Sequence, residues 1–257
     1  MSDTHQTEPQ MASLEPITKV TTAAAGVTVV DWLDERTQLS PGLRWLMFRK
    51  VPKGINWAYT LGSATLIVFL NQAITGVFLA MYYTPSVNGG AYESIRNIND
   101  NVFLGQFVHG MHKWGASMMV ILVFMHMGRV FFFGAYKYPR ELTWIIGVVL
   151  LLLTLVMGFS GYLLPFDQRS YWATIVGVNI TDTMPFLGPY IGDFLRAGPE
   201  FGATTLPRFY AIHMLLIPGI MMILIGFHIY LVTKMGISAP PWLKAQEPEV
   251  TIEHVEV

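Results

Sequence analysis

Four long apolar stretches punctuate this chain, and the polar residues collect between them. From Gly54 to Tyr92 there is no Asp, Glu, Lys or Arg. A membrane-spanning helix needs about 20 mostly apolar residues, and a first span fits within Trp57–Tyr83. A second fits Gln106–Phe133, with one basic residue, Lys113, near its start. A third lies in Leu142–Phe166 and a fourth in Phe209–Thr233, both uncharged. Pro218 falls inside the fourth, where proline is tolerated but bends the helix. The pattern predicts an all-α membrane protein, a four-transmembrane-helix bundle.

The connections carry the turn signals. The first, Thr84–Gly105, is rich in Gly, Pro and Asn and reads as a loop. The second is a short basic turn around Lys137, Tyr138, Pro139 and Arg140. The third runs from Pro165 to Pro207, and connections of that length usually serve a function. Within it, the apolar pieces Tyr171–Val176 and Tyr190–Leu195 fit surface helices. Ahead of the first span, Trp32, Leu33, Leu43, Trp45, Leu46 and Phe48 alternate with basic residues, which predicts an amphipathic surface segment over residues 31–50. Residues 1–30 read as a disordered N-terminal tail and 242–257 as a C-terminal tail, leaving 51–241 as the four-helix domain. Basic residues favour the cytoplasmic side. They gather at Arg36, Arg44, Arg49, Lys50 and Lys53, at Arg129, Lys137 and Arg140, and at Lys234 and Lys244. Both termini and the second connection are therefore expected to be cytoplasmic. The first and third connections then lie at the outer end.

Composition agrees and narrows the chemistry. The chain is 53% hydrophobic and 13% charged, against about a quarter charged in soluble domains. A net charge of -1 leaves no basic surface for nucleic acid. The absence of cysteine excludes disulfides, thiolate haem ligation, iron–sulfur ligation by this chain and covalent haem attachment. Any metal or haem must be held mainly by the seven histidines.

Four of these sit inside apolar spans: His112 and His126 on the second, His213 and His228 on the fourth. Histidine at membrane depth is costly and points to function. One alone is explained equally well by a hydrogen bond to a neighbouring helix; the spacing changes the weighing. His112 and His126 are 14 residues apart, close to four helical turns, so they share a face at levels roughly 21 Å apart. His213 and His228 are 15 apart, an overshoot of about 60° in an ideal helix, part of which a bend near Pro218 can absorb. The second and fourth spans run parallel, so His112 meets His213 at one depth and His126 meets His228 at the other. Each couple can supply two axial imidazoles to one haem iron, giving two stacked b-type haems. Gly62 and Gly76 on the first span, and Gly147 and Gly161 on the third, repeat the 14-residue interval. Glycine lets a flat macrocycle approach the backbone; close helix packing is the competing explanation. Arg129 and Arg208 lie beyond His126 and before His213, placed to pair with haem propionates or to snorkel to the interface. His109, one turn before His112, is expected to be a polar partner near the outer haem rather than a ligand.

These residues resemble a known family. The run HKWGAS from His112, His126-Met127-Gly128-Arg129, and Pro139–Trp144 are similar to the cytochrome b subunit of cytochrome bc and bf complexes. So are GYLLPFDQ over Gly161–Gln168, Tyr171-Trp172-Ala173, and TLPRFY over Thr205–Tyr210 followed by His213. The resemblance covers residues 51–241. The 15-residue interval and the chain's end after four spans resemble the short, split form, in which a separate subunit carries the remaining helices. The resemblance implies a multi-pass protein of a bacterial plasma membrane. It would belong to a homodimeric complex with a Rieske iron–sulfur protein and a c-type cytochrome or similar acceptor. That complex would oxidise quinol, menaquinol by preference, near the outer face. One electron would go to the Rieske protein and the other across the membrane through two haems to an inner quinone, with protons translocated. Phe166, Asp167, Tyr171 and Trp172 would line the outer quinol pocket. Pro199-Glu200-Phe201 superficially echoes a quinol-site motif of the later helices but reads as a simple loop turn. Thr60 stands where plastid-type members carry a haem-binding cysteine, so no covalent haem is expected. His109 stands where many relatives have a propionate-binding arginine. Lys234, beside Thr233, is the inner quinone candidate.

Two other readings compete. A di-haem anchor of a hydrogenase or formate dehydrogenase also carries membrane histidines, but lacks the long third connection beginning PFDQ. A transporter or non-redox scaffold would be expected to show inverted repeats or central carboxylates.

Overall fold

The computed structural model describes residues 29–38, 48 and 52–244. It is helical, with no strand among the described residues. The chain divides into two units between Arg49 and Lys50. In the first, α1 (Val29–Thr37) places Arg36 4.4 Å over the Trp32 ring. The rest of the expected amphipathic segment, apart from Phe48, lies outside the described residues. So do residues 1–28 and 245–257 of the expected tails.

In the second unit, Asn56 caps a short 3-10 turn by accepting from the Ala58 N–H at 3.1 Å. That turn leads into α2 (Leu61–Ala80). A surface helix α3 (Gly90–Asp100) precedes α4 (Gly105–Phe132), and α5 (Glu141–Tyr162) follows the basic turn. Two helices, α6 (Gln168–Asp182) and α7 (Gly188–Arg196), fill the third connection. The fourth span is α8 (Thr205–Ala211), a π-helical turn (Ile212–Leu216) and α9 (Ile217–Met235). A last short helix is α10 (Pro241–Lys244). Among the described residues, four segments are long and apolar enough to cross a membrane: Trp57–Ala80, Gly105–Phe132, Glu141–Tyr162 and Thr205–Met235. Their outward faces are strongly apolar: Ile74, Trp114, Leu215 and Ile223 are each more than 70% exposed. Water does not tolerate such surface on a monomer; lipid or partner helices do.

The first span packs along the second, the third along the fourth, and the second touches the third. At the outer end, the end of the two long connections, the buried residues Ala91, Leu163, Val178, Leu206 and Phe209 form one cluster. It joins α3, the end of α5, α6 and the start of α8. Tyr83 donates to the Leu164 carbonyl at 2.6 Å; burial pushes its pKa up, so it keeps donating at physiological pH. Arg196, buried, binds Asp182 at 2.6 Å and Asp193 at 2.9 Å, fixing α7 on α6. At the inner end, Arg140 donates to the Gly236 carbonyl at 3.0 Å, tying the basic turn to the end of the fourth span.

Several boundaries differ from the sequence reading. The first connection is not all loop: α3 buries Ala91, Ser94 and Ile98 on one face, spaced so that they share a helical stripe. Helix α1 begins two residues inside the expected tail. The bundle continues past residue 241, because Trp242 meets the Phe133 ring at 5.6 Å and Leu243 lies against Gly54. The relief of the 15-residue interval comes chiefly from the π turn, which contains His213. A π turn inserts one residue into a helix, so 15 residues cover the four turns that 14 cover on the second span.

Candidate functional site

The four span histidines fall into two layers. In the outer layer, the rings of His112 and His213 stand 6.3 Å apart, centre to centre, at 75°. The inner layer holds His126 and His228, further along the same two spans. Each ring faces one glycine of another span. A Cβ built on Gly76 would lie 3.4 Å from His112 Cε1, and one on Gly161 2.5 Å from His213 Cε1. One on Gly62 would lie 3.1 Å from His126 Cε1, and one on Gly147 3.5 Å from His228 Cε1. The glycines at 14-residue spacing therefore meet the histidines layer by layer.

Hydrogen bonds hold the outer rings. Thr75 Oγ1 lies 2.8 Å from His112 Nδ1, and Ser160 Oγ 3.1 Å from His213 Nδ1. Gln72 donates to the His112 carbonyl at 2.8 Å. The inner rings differ: His126 Nδ1 and His228 Nδ1 are buried without a hydrogen-bond partner in the protein.

This arrangement fits a haem in each layer. Two imidazoles on opposite sides of one metal, each nitrogen about 2 Å from it, put their ring centres roughly 6 Å apart. The outer rings already have that separation. The glycine opposite each ring leaves the backbone open to a flat group.

The remaining sequence candidates take varied positions. Arg129 lies 4.1 Å over the Tyr59 ring and donates to the Ala58 carbonyl at 3.4 Å, at the inner end. Arg208 donates to the Phe194 carbonyl at 2.9 Å and lies over that ring, turned toward α7. His109 Nδ1 pairs with Asn99 Oδ1 at 2.8 Å. Phe166 and Tyr171 line a cavity of about 180 Å³ with Val87, Phe201 and Gly202. Phe166 holds φ +51° there, a conformation bulky residues rarely adopt without a local demand. Asp167 caps α6 by accepting from the Ser170 N–H at 2.7 Å and borders a second, more open space with Phe166 and Tyr92. Trp172 is exposed, its indole donating to Gln168 at 2.9 Å. Lys234 lies 5.7 Å over the Tyr230 ring at the inner end.

Three residues at these sites went unread in the sequence. Phe201, set aside as part of a loop turn, packs on Tyr171 at 5.7 Å and lines the outer cavity. Thr75 and Ser160 each precede a layer glycine, and that adjacency was the available signal.

Comparison with known proteins gives one family. The family model described as Cytochrome b/b6/petB matches residues 46–236. The menaquinol:cytochrome c reductase cytochrome b subunit of Geobacillus thermodenitrificans is 41% identical over 218 residues, 82% of this chain and 97% of that protein. Cytochrome b6 of Heliobacterium modesticaldum is 39% identical over 216 residues, 82% of this chain and 100% of that protein. A chain of a solved hyperthermophilic respiratory Complex III superposes with TM-score 0.75 at 32% identity. That match covers 86% of this chain, which spans 59% of the Complex III chain.

Proposed function

From the premise that this chain belongs to the cytochrome b/b6 family and is the cytochrome b subunit of a quinol-oxidising bc-type complex, we propose that its two imidazole couples hold two b-type haems. His112 and His213 are the ligands of the outer haem, and His126 and His228 those of the inner. When bound, these haems supply a one-electron relay between the two faces of the membrane. Gly62, Gly76, Gly147 and Gly161 keep Cβ atoms away from the rings. Arg129, at the inner end, is the candidate propionate partner there. Arg208 and His109 are the polar candidates at the outer end. The carrying observation is the one-to-one facing of four glycines and four histidines in two layers.

The outer cavity is the quinol site in this reading. Phe166, Tyr171 and Phe201 supply aromatic walls, with Asp167 and Trp172 on its rim, and menaquinol is the preferred substrate by analogy with the relatives. Lys234 is the inner quinone candidate. The partners are a Rieske iron–sulfur protein, a subunit carrying further helices, a c-type cytochrome and a second copy of the complex. The protein spans the membrane several times; we assign it to a bacterial plasma membrane with both termini cytoplasmic. Quinol oxidation outside and quinone reduction inside then move protons across the bilayer. The family match gives no support to a hydrogenase or formate dehydrogenase anchor.

The test is a His126→Ala variant of the assembled complex, read by reduced-minus-oxidised spectra. The inner b haem should be lost and the outer kept. Retention of both, or a wild-type complex with fewer than two, would contradict the assignment.

A further inference from the structure

The residue preceding each layer glycine differs between the two layers. In the outer layer it carries a hydroxyl: Thr75 before Gly76 and Ser160 before Gly161. In the inner layer it is aliphatic: Leu61 before Gly62 and Ile146 before Gly147. Both hydroxyl residues are buried, and both reach the Nδ1 of an outer imidazole.

The di-haem reading sets the direction of these hydrogen bonds. A hydroxyl has one hydrogen to donate and lone pairs with which to accept. Thr75 gives its hydrogen to the Asn71 carbonyl at 2.6 Å, and Ser160 gives its own to the Met157 carbonyl at 3.2 Å. Each oxygen is then an acceptor toward the neighbouring ring. A backbone carbonyl faces one ring in each layer, Met157 toward His213 and Thr143 toward His228, so the hydroxyls alone distinguish the outer couple. With Nε2 given to iron in the di-haem reading, each outer imidazole carries its hydrogen on Nδ1 and donates it to the hydroxyl oxygen. No hydroxyl reaches the Nδ1 of His126 or His228.

We propose that Thr75 and Ser160 are positioning residues for the outer imidazole couple: they fix the tautomer that leaves Nε2 free for iron and lower the midpoint potential of the haem held there. The proposal rests on the di-haem reading above. An Nδ1–H that donates to oxygen raises the basicity of the other ring nitrogen and locks the ring's orientation. A more basic axial ligand favours ferric over ferrous iron, one of the ways a protein tunes haem. The inner couple, flanked by Leu61 and Ile146, lacks this device and serves as the internal control.

The experiment is a potentiometric titration, with haem content measured in parallel, on the full complex carrying wild-type chain, Thr75→Val, Thr75→Ser or Ser160→Ala. The hydroxyl-deleted variants should raise the outer midpoint and leave the inner one in place. The outer haem's ferrous-to-ferric ratio should change on the order of tenfold, about 59 mV for a one-electron couple. Thr75→Ser should restore the wild-type value. If Thr75→Val sheds its outer haem, Ser160→Ala decides in the same way. An unmoved outer midpoint, an equal shift of both couples, or loss of the outer haem from both deletion variants would overturn the proposal. A wild-type complex with fewer than two haems per chain would instead sink the di-haem reading beneath it.

Discussion

Alanine at Gly161 is the sharpest perturbation the structure offers. Its Cβ would fall 2.5 Å from His213 Cε1 and 3.1 Å from both ring nitrogens, while ordinary contact begins near 3.4 Å. The ring must retreat by about an ångström, yet His213 is buried and its Nδ1 is held by Ser160. Overpacking of this kind costs about 1–3 kcal/mol. At 1.4 kcal/mol per factor of ten, that is roughly a five- to hundredfold loss of outer-haem affinity. Gly147→Ala is the matched control, because its Cβ would sit 3.5 Å from His228 Cε1, within ordinary contact. Haem per chain and the two midpoint potentials, measured on purified complexes, provide the assay. Gly161→Ala should lose or perturb the outer haem alone, and Gly147→Ala should disturb the inner haem far less. Equal damage from the two substitutions, or an unperturbed outer haem in Gly161→Ala, would refute the claim that imidazole placement sets the need for glycine.

Other outcomes follow from the same geometry. Deleting Leu215 from the π turn should restore a regular helix with a 14-residue interval and keep both haems. Inserting one residue after Leu216 should instead rotate His213 away and lose the outer haem; optical spectra of the two variants distinguish these results. Phe201→Ala, by opening the aromatic wall shared with Tyr171, should raise the apparent KM for quinol more than it lowers kcat in steady-state assays. Arg196→Ala should leave Asp182 and Asp193 unpaired and cost about 1–3 kcal/mol, seen as a lower Tm and faster proteolysis between α6 and α7. Tyr83→Phe removes a hydrogen bond worth about 1 kcal/mol and should lower Tm slightly without changing haem content.

Sequence periodicity carried much of this architecture. The four spans were legible because length and hydropathy alone define a membrane helix. The two layers were legible because 14 residues nearly close four turns. The π turn was not: nothing in IHMLL distinguishes an inserted residue from a regular turn, and Pro218 drew the inference a turn too far along. Helix α3 was masked by its Gly and Asn content, although its buried face follows helical spacing. Phe201 was hidden because its place in the cavity depends on how α7 folds back on α6 through Arg196, a tertiary contact without a local signature. The hydroxyls of Thr75 and Ser160 were adjacent to residues already singled out, yet their role depends on side-chain direction, which spacing alone does not supply.

An iron-edge anomalous difference map of the assembled complex tests the central claim most directly. The account predicts two iron peaks in this chain between the second and fourth spans, one flanked by His112 and His213 and the other by His126 and His228. A single peak, or none between those histidines, would contradict it.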